Sequence, residues 1–283
     1  SAKQSEMNAA QSARSIKKHR APEKAADCLQ YERMYESGIC EVEPGLFSMT
    51  MAFTDVNFQL ARQEEQKSLF TQYSEFLNYF DPDTHLQISL VTRRVDEAEF
   101  RRDTFLPLRG DARDRYSEEM NRVISEKALQ GQNGLIREKY ITISLHEDDY
   151  RKAQVRLLKR AEDIQNLFKR MGSTVRRLSG IERLNLLHGI TRPEEVMAFS
   201  YDWLLAEDSL TTKDFIAPSG YNWKPEHEDS RAVYNDRYQF GEYYGKVLYL
   251  RDIAPQMKDN LLSLLSDLDF DNAISIHVDA VEQ

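Results

Sequence analysis

The side chains of this sequence that could bind a metal ion are most concentrated in two short clusters. One is HEDD at 146–149, and the other is EHED at 226–229. Consecutive side chains on a strand point to opposite faces, so neither cluster brings its members together on one ion in an extended segment. The first cluster more simply predicts a strand end followed by the acidic start of a helix, where the helix dipole favours carboxylates. A metal-dependent enzyme that uses His146 or His227 is therefore the last of three hypotheses.

The common catalytic and nucleotide-binding motifs are missing from the sequence. There is no G-x-x-x-x-G-K-[ST] loop to cradle a phosphate, no G-x-G-x-x-G after a strand and no G-x-S-x-G elbow. The six histidines include no H-E-x-x-H pair, and His277 is predicted on the polar face of its strand, as a surface or interface residue. We therefore predict no catalytic residue, no cofactor-binding residue and no metal ligand in this segment.

A basic island occupies residues 151–183. It holds ten Lys and Arg residues against three acidic residues, in a chain whose formal net charge is −9. One interpretation is a patch that binds nucleic acid or the acidic surface of a partner. The other is a solvated helix face beside a polar strand edge, which the lack of aromatic residues to stack on bases favours.

Composition indicates a soluble globular protein. The chain has 283 residues, 41% hydrophobic and 30% charged, and only two cysteines, Cys28 and Cys40, with no C-x-x-C pair, which favours a reducing, cytoplasmic setting. No apolar run approaches the ~20 residues of a membrane span, so association with a membrane would be peripheral or through a partner. Residues 1–30 are predicted to be a polar arm, either disordered or in contact with an anionic membrane surface. Residues 31–283 are predicted to form the folded domain.

Three stretches read as strand–helix–strand units, at 46–91, 139–179 and 244–283. In each of them, apolar side chains alternate along the strands and recur at helical spacing between them. Further helices are predicted at 111–129, 181–189 and 194–204, and the long irregular stretch 191–243 is typical of a functional or partner-binding loop. The pattern predicts an α+β fold with a mixed or largely antiparallel sheet. Its helices lie mainly on one face, in repeated units of ferredoxin-like character.

Several phrases, taken in order, resemble a known family. They are MY at 34–35 with GIC at 38–40, NFQL at 57–60, FLNYFD at 76–81, QNGL at 132–135, KYIT at 139–142, FKRMG at 168–172, ERLNLLHG at 182–189 and LTTKDFIAP at 210–218. This ordered set is similar to the N-terminal region of the VirB/TraC-like ATPases of conjugative type IV secretion, in the branch found on integrative elements of Gram-positive bacteria. The resemblance runs from about residue 31 to the end of the chain.

The resemblance implies a domain of a larger ATPase. In that family a motor domain with Walker motifs follows this region and binds ATP and Mg²⁺, and its nucleotide-binding residues have no matching positions here. The N-terminal region contacts inner-membrane components of the secretion channel and neighbouring copies of itself, which places the protein in the cytoplasm at the inner face of the membrane.

The function expected from this resemblance is that of a non-catalytic docking and oligomerisation domain. The second hypothesis, in another class, is a nucleic-acid-binding module that uses the basic island. The residues predicted to form the partner interface lie in the basic island and in the loop 210–223. They are Arg156, Lys159, Arg160, Lys213, Asp214, Phe215 and Trp223.

Overall fold

The computed structural model describes residues 24–56, 58, 61–94, 110, 114–131, 135–193, 195, 201–203, 211–218, 220, 237–240, 242–250 and 260–280. Within them, nine strands and six helices form. The strands are β1 Arg33–Met34, β2 Ile39–Glu43, β3 Leu46–Phe53, β4 Thr84–Arg94, β5 Leu135–His146, β6 Val175–Arg177, β7 Tyr238–Phe240, β8 Tyr243–Gly245 and β9 Asn272–Val278. The helices are α1 Gln63–Leu77, α2 Asp114–Gly131, α3 Tyr150–Arg170, α4 Gly180–Thr191, α5 Thr212–Ile216 and α6 Asn260–Ser266.

Seven strands form one sheet in which every described pairing is antiparallel. Its order is β1-β2-β3-β5-β4-β9, and β6 pairs with β3 as well. Strand β3 has β5 along one edge and shares its other edge between two short strands. Met49 lies opposite Ile39 of β2, and Met51 lies opposite Arg177 of β6. In the order β6-β3-β5-β4, strands of the two predicted strand–helix–strand units alternate.

One face of the sheet carries the main core. Because side chains alternate along a strand, the odd-numbered residues of β3 and β5 point to this face, which is covered by helices α1 and α3. The side chains with no exposed surface include Met51, Phe76, Ile141, Ile143, Leu145, Leu157 and Ile164. This apolar burial is the dominant stabilising term of the fold.

The opposite face is more polar, and α4 covers part of it. There the hydroxyls of Thr50 and Thr142 share a hydrogen bond of 2.8 Å between neighbouring strands. A small cluster forms where Leu178, just before α4, packs with Val91 and Tyr140. A second cluster, composed of Leu29, Tyr31, Met34, Cys40, Leu184, Ile216 and Ala217, holds α4, α5 and the N-terminal edge of the sheet together.

The structure confirms the predicted α+β class and its largely antiparallel sheet. Units 46–91 and 139–179 are strand–helix–strand as predicted, and helices lie where the sequence predicts them at 111–129 and 181–189. The helix predicted at 194–204 falls mostly outside the described residues, and residues 195 and 201–203 are not helical. At the end of the predicted arm, Ala25–Cys28 is a 3-10 helix that packs on the second cluster.

The predicted unit at 244–283 is wrong in its first strand. Among residues 242–250, which the structure describes, only Tyr243–Gly245 belongs to a ladder, and it pairs with Tyr238–Phe240 instead of joining the main sheet. The reason is local, since two residues, Gly241 and Glu242, separate the two strands, and Gly-X is a favoured hairpin connection. The unit's last strand is β9 as predicted, while residues 251–259, which contain the predicted start of its helix, lie outside the described residues.

Candidate interface

Helix α3 positions most of the basic island. Asp149 begins the helix by accepting hydrogen bonds from the backbone N–H groups of Arg151 and Lys152, at 2.8 and 3.0 Å. This capping fits the interpretation of the acidic cluster at 146–149 as a helix start. The helix buries Ala153, Leu157, Ala161, Ile164 and Phe168. Its cations therefore lie on the flanks and the outer face.

Two predicted interface residues are engaged inside the fold. Arg156 binds Glu147 at 2.5 Å and also pairs with Asp83 in the turn before β4. Arg160 binds Asp81 of the same turn at 2.6 Å, and its guanidinium lies over the ring of Tyr79. Both arginines thus fasten α3 to the α1–β4 connection.

Half of the basic island's cations have partners within the fold. Besides Arg156 and Arg160, Lys152 pairs with Asp148, and Arg176 pairs with Glu182. Arg183 donates to backbone oxygens. The exposed cations for which the structure describes no ion pair are Arg151, Lys159, Lys169, Arg170 and Arg177. The basic island therefore has fewer cations available to a partner than its charge count predicts. Of its three predicted interface residues, Lys159 is the one whose side chain is exposed.

Arg183 is a structural residue that the sequence did not single out. It is partly buried and donates hydrogen bonds to the carbonyl oxygens of Gly38 and Ser48, at 2.8 and 3.0 Å, and to the hydroxyl of Ser48. Burial lowers the pKa of its guanidinium. The close approach depends on Gly38, whose φ is +87° and whose position leaves no room for a Cβ beside the carbonyl of Leu178. In the sequence, the signal that could have indicated this turn is the glycine of the G-I-C phrase, Gly38.

The described part of the predicted partner loop is short and well packed. Helix α5 buries Ile216, and the hydroxyl of Thr212 shares a hydrogen bond of 2.8 Å with the phenol of Tyr31. Burial raises the pKa of Tyr31 to about 12, so the phenol keeps its proton. At the end of α4, the hydroxyl of Thr191 donates to the carbonyl of Ile216 at 2.6 Å, and Arg192 donates to that of Ala217 at 2.8 Å. The loop is thus anchored to α4.

Three predicted interface residues lie together on this anchored segment, each with a different role. The ammonium of Lys213 lies 5.2 Å from the ring centre of Tyr31. Asp214 closes the helix start by accepting from the backbone N–H and hydroxyl of Thr211, at 2.8 and 2.9 Å. Phe215 is 40% exposed. The fourth, Trp223, lies outside the described residues.

An aromatic cluster extends from Phe215. Its ring lies 5.3 Å from that of Tyr201, which in turn lies 4.9 Å from that of Trp203, and both contacts are edge-to-face. Trp203 also packs close to Gly180, where a Cβ would lie 2.8 Å from the indole. We refer to Tyr201, Trp203 and Phe215 as the aromatic patch. Both tryptophans lie in the stretch 191–243 that was predicted to be irregular, but the sequence did not indicate that Tyr201 contacts both Trp203 and Phe215.

Acid is expected to weaken this part of the fold. The hydrogen bond from the backbone N–H of Thr211, followed by that from its hydroxyl, holds the pKa of Asp214 below its ordinary value of 3.8. A carboxylate whose pKa is lower in the folded state stabilises the fold above its unfolded pKa, and this contribution disappears as the pH falls through the folded pKa. Urea unfolding between about pH 5 and pH 3 should show a smaller loss of stability for Asp214→Asn than for the wild type. Equal losses would contradict the assignment.

The described residues hold no group of three His, Cys, Asp or Glu side chains placed to bind a metal ion. His146 is exposed, and its ring centre lies 6.4 Å from that of His85. Nδ1 of His85 lies 2.7 Å from Oδ1 of Asp279. His277 is exposed on the polar face of β9, where it was predicted. His227 lies outside the described residues.

Other candidates for chemistry in the described part of the chain are weak. Burial raises the pKa of the Cys40 thiol, despite the nearby Arg183, so a thiolate is disfavoured there. A shallow cleft of about 340 Å³ lies between α1 and the end of α3, and Glu65 is the one titratable residue among the described residues that line it. A single carboxyl in an otherwise uncharged cleft lacks the partner that acid–base chemistry requires.

Comparison with known proteins gives no identification. No model of a known protein family matches the chain, and no curated protein sequence matches it. In the described residues no helix has the length and apolar character needed to cross a membrane.

Proposed function

We propose that this chain is a non-catalytic docking and oligomerisation domain of a conjugation ATPase of the type IV secretion class. The observation that carries the proposal is the aromatic patch, which is partly exposed yet rigidly anchored. Aromatic residues are enriched at the centres of protein interfaces because they bury a large area with little loss of conformational freedom. Lys213 beside the patch adds a positive charge at its rim.

Anchoring is what distinguishes this patch from scattered exposed apolar residues. Helix α5 is fixed to α4 through Thr191 and Arg192 and to the N-terminal segment through Tyr31. A surface held in place before binding loses less entropy when a partner docks. The patch is therefore suited to transmit force or position between a motor and a channel.

The partners follow from the resemblance of the sequence. They are inner-membrane components of the secretion channel, further copies of this domain and a motor domain of the same polypeptide, where ATP and Mg²⁺ would bind. The location that follows is the cytoplasmic side of the membrane. The exposed cations of the basic island, including Lys159 and Lys169, favour an acidic surface on one of these partners.

The proposal is tested by binding of the purified chain to membranes from host cells that carry the conjugative element. We expect Phe215→Glu to weaken this binding by at least about tenfold, because a charge would be buried at the centre of the interface. Phe70→Glu is the matched control, since Phe70 is 68% exposed on α1, in another part of the surface. Equal binding by both variants and the wild type would contradict the proposal, as would equal binding to membranes of cells that lack the element.

The nucleic-acid hypothesis has its own test. Five exposed cations of the basic island support it, but the described residues of the island present no exposed aromatic side chain to stack on bases. A chain with a net charge of −9 also repels a polyanion at long range. We expect a titration with single-stranded DNA to show no binding at low salt. Tight binding that weakens steeply with added salt would favour this hypothesis over docking.

A further inference from the structure

The solvent side of helix α3 carries an excess of positive charge. Eight residues of this helix are exposed. Five of the eight are cations, and they are Arg151, Lys152, Lys159, Lys169 and Arg170. Glu162 is the one acidic residue among the eight, so five cations and one carboxylate give a formal charge of +4, in a chain of −9. We call these eight exposed residues the basic face of α3.

The basic face is a straight row. An α-helix turns by about 100° and rises by about 1.5 Å per residue, which places all eight residues within about 60° of the direction of Val155. Arg151 and Arg170 then lie about 28 Å apart along the helix axis. Val155 is 70% exposed near the start of this row. Because the opposite side of α3 is buried in the main core, the row is held in a fixed orientation.

The fold makes little use of the cations on the basic face. Arg156 and Arg160, which fasten α3 to the α1–β4 connection, lie on the flanks of the helix and have acidic partners. On the basic face, Lys152 alone has a described ion pair, with the exposed Asp148 and Asp149. Ion pairs between exposed side chains contribute about 1 kcal/mol or less to stability. Most of the positive charge on the basic face is thus available to a partner.

Two of the cations lie where they disfavour the helix. Arg151 and Lys152 are in the first turn of α3, which contains no acidic residue. The helix dipole favours negative charge at this end and disfavours a cation, by about 0.3–1 kcal/mol at an exposed position. A sequence that departs from a local rule of stability in this way indicates a requirement other than folding.

The residue types of the basic face distinguish between kinds of acidic partner. Single-stranded nucleic acid stacks its bases on aromatic side chains, and the basic face has none. A helix that lies on a membrane buries a wide apolar face, whereas Val155 is the one large apolar side chain on the basic face. A second helix with carboxylates at spacings of three and four residues presents a row of charge with the same rise as α3.

We propose that the basic face of α3 binds an acidic helix of a partner protein. This helix lies along α3, with its carboxylates opposite the cations and one apolar side chain against Val155. Opposite charges across such a contact accelerate encounter and disfavour partners of the wrong sign. The inference names the chemistry of one partner of the docking domain, and it rests on the proposed function.

Fluorescence anisotropy of a labelled synthetic peptide tests the role of charge. The peptide is a helix of about the length of α3, with glutamates in one row and a leucine within that row. Lys159→Glu/Lys169→Glu should weaken its binding to the purified chain at least about tenfold at low salt, because attraction becomes repulsion at two positions. Lys67→Glu/Arg115→Glu makes the same change of net charge at exposed residues of α1 and α2. This control should stay within about twofold of the wild type.

Val155→Ser tests the apolar contact without a change in charge. Serine and valine have similar helix propensities and Val155 is largely exposed, so the variant should keep its stability. We expect it to bind the peptide about threefold more weakly than the wild type does. An unchanged affinity of either Val155→Ser or Lys159→Glu/Lys169→Glu would overturn the proposal. Tighter binding of single-stranded DNA or of phosphatidylserine vesicles than of the peptide would overturn it as well.

The same measurements separate this inference from the docking function. Membrane binding that depends on Phe215, by a chain that does not bind the peptide, would overturn the acidic partner helix and keep the docking domain. Peptide binding through the basic face, by a chain that does not bind the element-carrying membranes, would keep the acidic partner helix and overturn the docking domain.

Discussion

Phe76→Ala is expected to lower the free energy of unfolding by about 4 kcal/mol, the largest effect of any single substitution considered. Phe76 has no exposed surface and lies where α1 meets α3 and the sheet. Its ring makes edge-to-face contacts with Phe80 at 5.3 Å and Phe168 at 5.0 Å. The substitution removes these contacts as well as the transfer free energy of the side chain, and it leaves a cavity that a tightly packed core closes only in part.

Urea unfolding of the purified domain measures this effect. Phe70→Ala is the control, because it makes the same chemical change on the same helix at a side chain that is 68% exposed. That variant should stay within about 0.5 kcal/mol of the wild type. A loss below about 1 kcal/mol for Phe76→Ala would mean that α1 does not pack on this face of the sheet.

Arg183→Ala is expected to cost about 3 kcal/mol. The guanidinium joins α4 to the β2–β3 region by donating to the carbonyls of Gly38 and Ser48 and to the Ser48 hydroxyl. Truncation removes charge-assisted hydrogen bonds and leaves these buried acceptors without their donor. Arg183→Lys should recover only part of the stability, since an ammonium cannot reproduce the planar arrangement of donors.

The matched comparison is Arg177→Ala on β6. Arg177 is an exposed member of the same basic island, and its side chain makes no described hydrogen bond or ion pair. Its truncation should change the free energy of unfolding by less than about 0.5 kcal/mol. Similar losses for the two variants would show that Arg183 contributes as a surface charge and does not bridge the two elements.

The strands and helices of the two central units were predictable because their signals are local. Alternation at Met49 and Met51 gives a half-buried strand, and the spacing of Leu157, Ala161 and Ile164 gives an amphipathic helix. The order of the strands was not predictable in this way. Pairing of β3 with both β2 and β6 along one edge depends on contacts between residues far apart in the sequence.

The candidate interface was less predictable than the fold. A count of charges along the sequence does not show which cations have acidic partners. Two arginines of the basic island pair with carboxylates more than 70 residues away, Arg160 with Asp81 and Arg156 with Asp83. The same limit applies to the aromatic patch, because Tyr201 contacts both Trp203 and Phe215 only in the folded chain. The first strand of the predicted unit 244–283 fails in its described residues for a different reason. Strand propensity does not specify a partner, and the hairpin with β7 takes the first residues of that strand.

The most direct test of the central claim, a docking domain of a conjugation motor, is the mass of the native product in its host. An antibody against this domain, followed by mass spectrometry, gives that mass and the sequence beyond residue 283. We expect a polypeptide well above 33.0 kDa that continues into a G-x-x-x-x-G-K-[ST] loop. A native product of 33.0 kDa that ends at Gln283, without a phosphate-binding loop, would contradict the account.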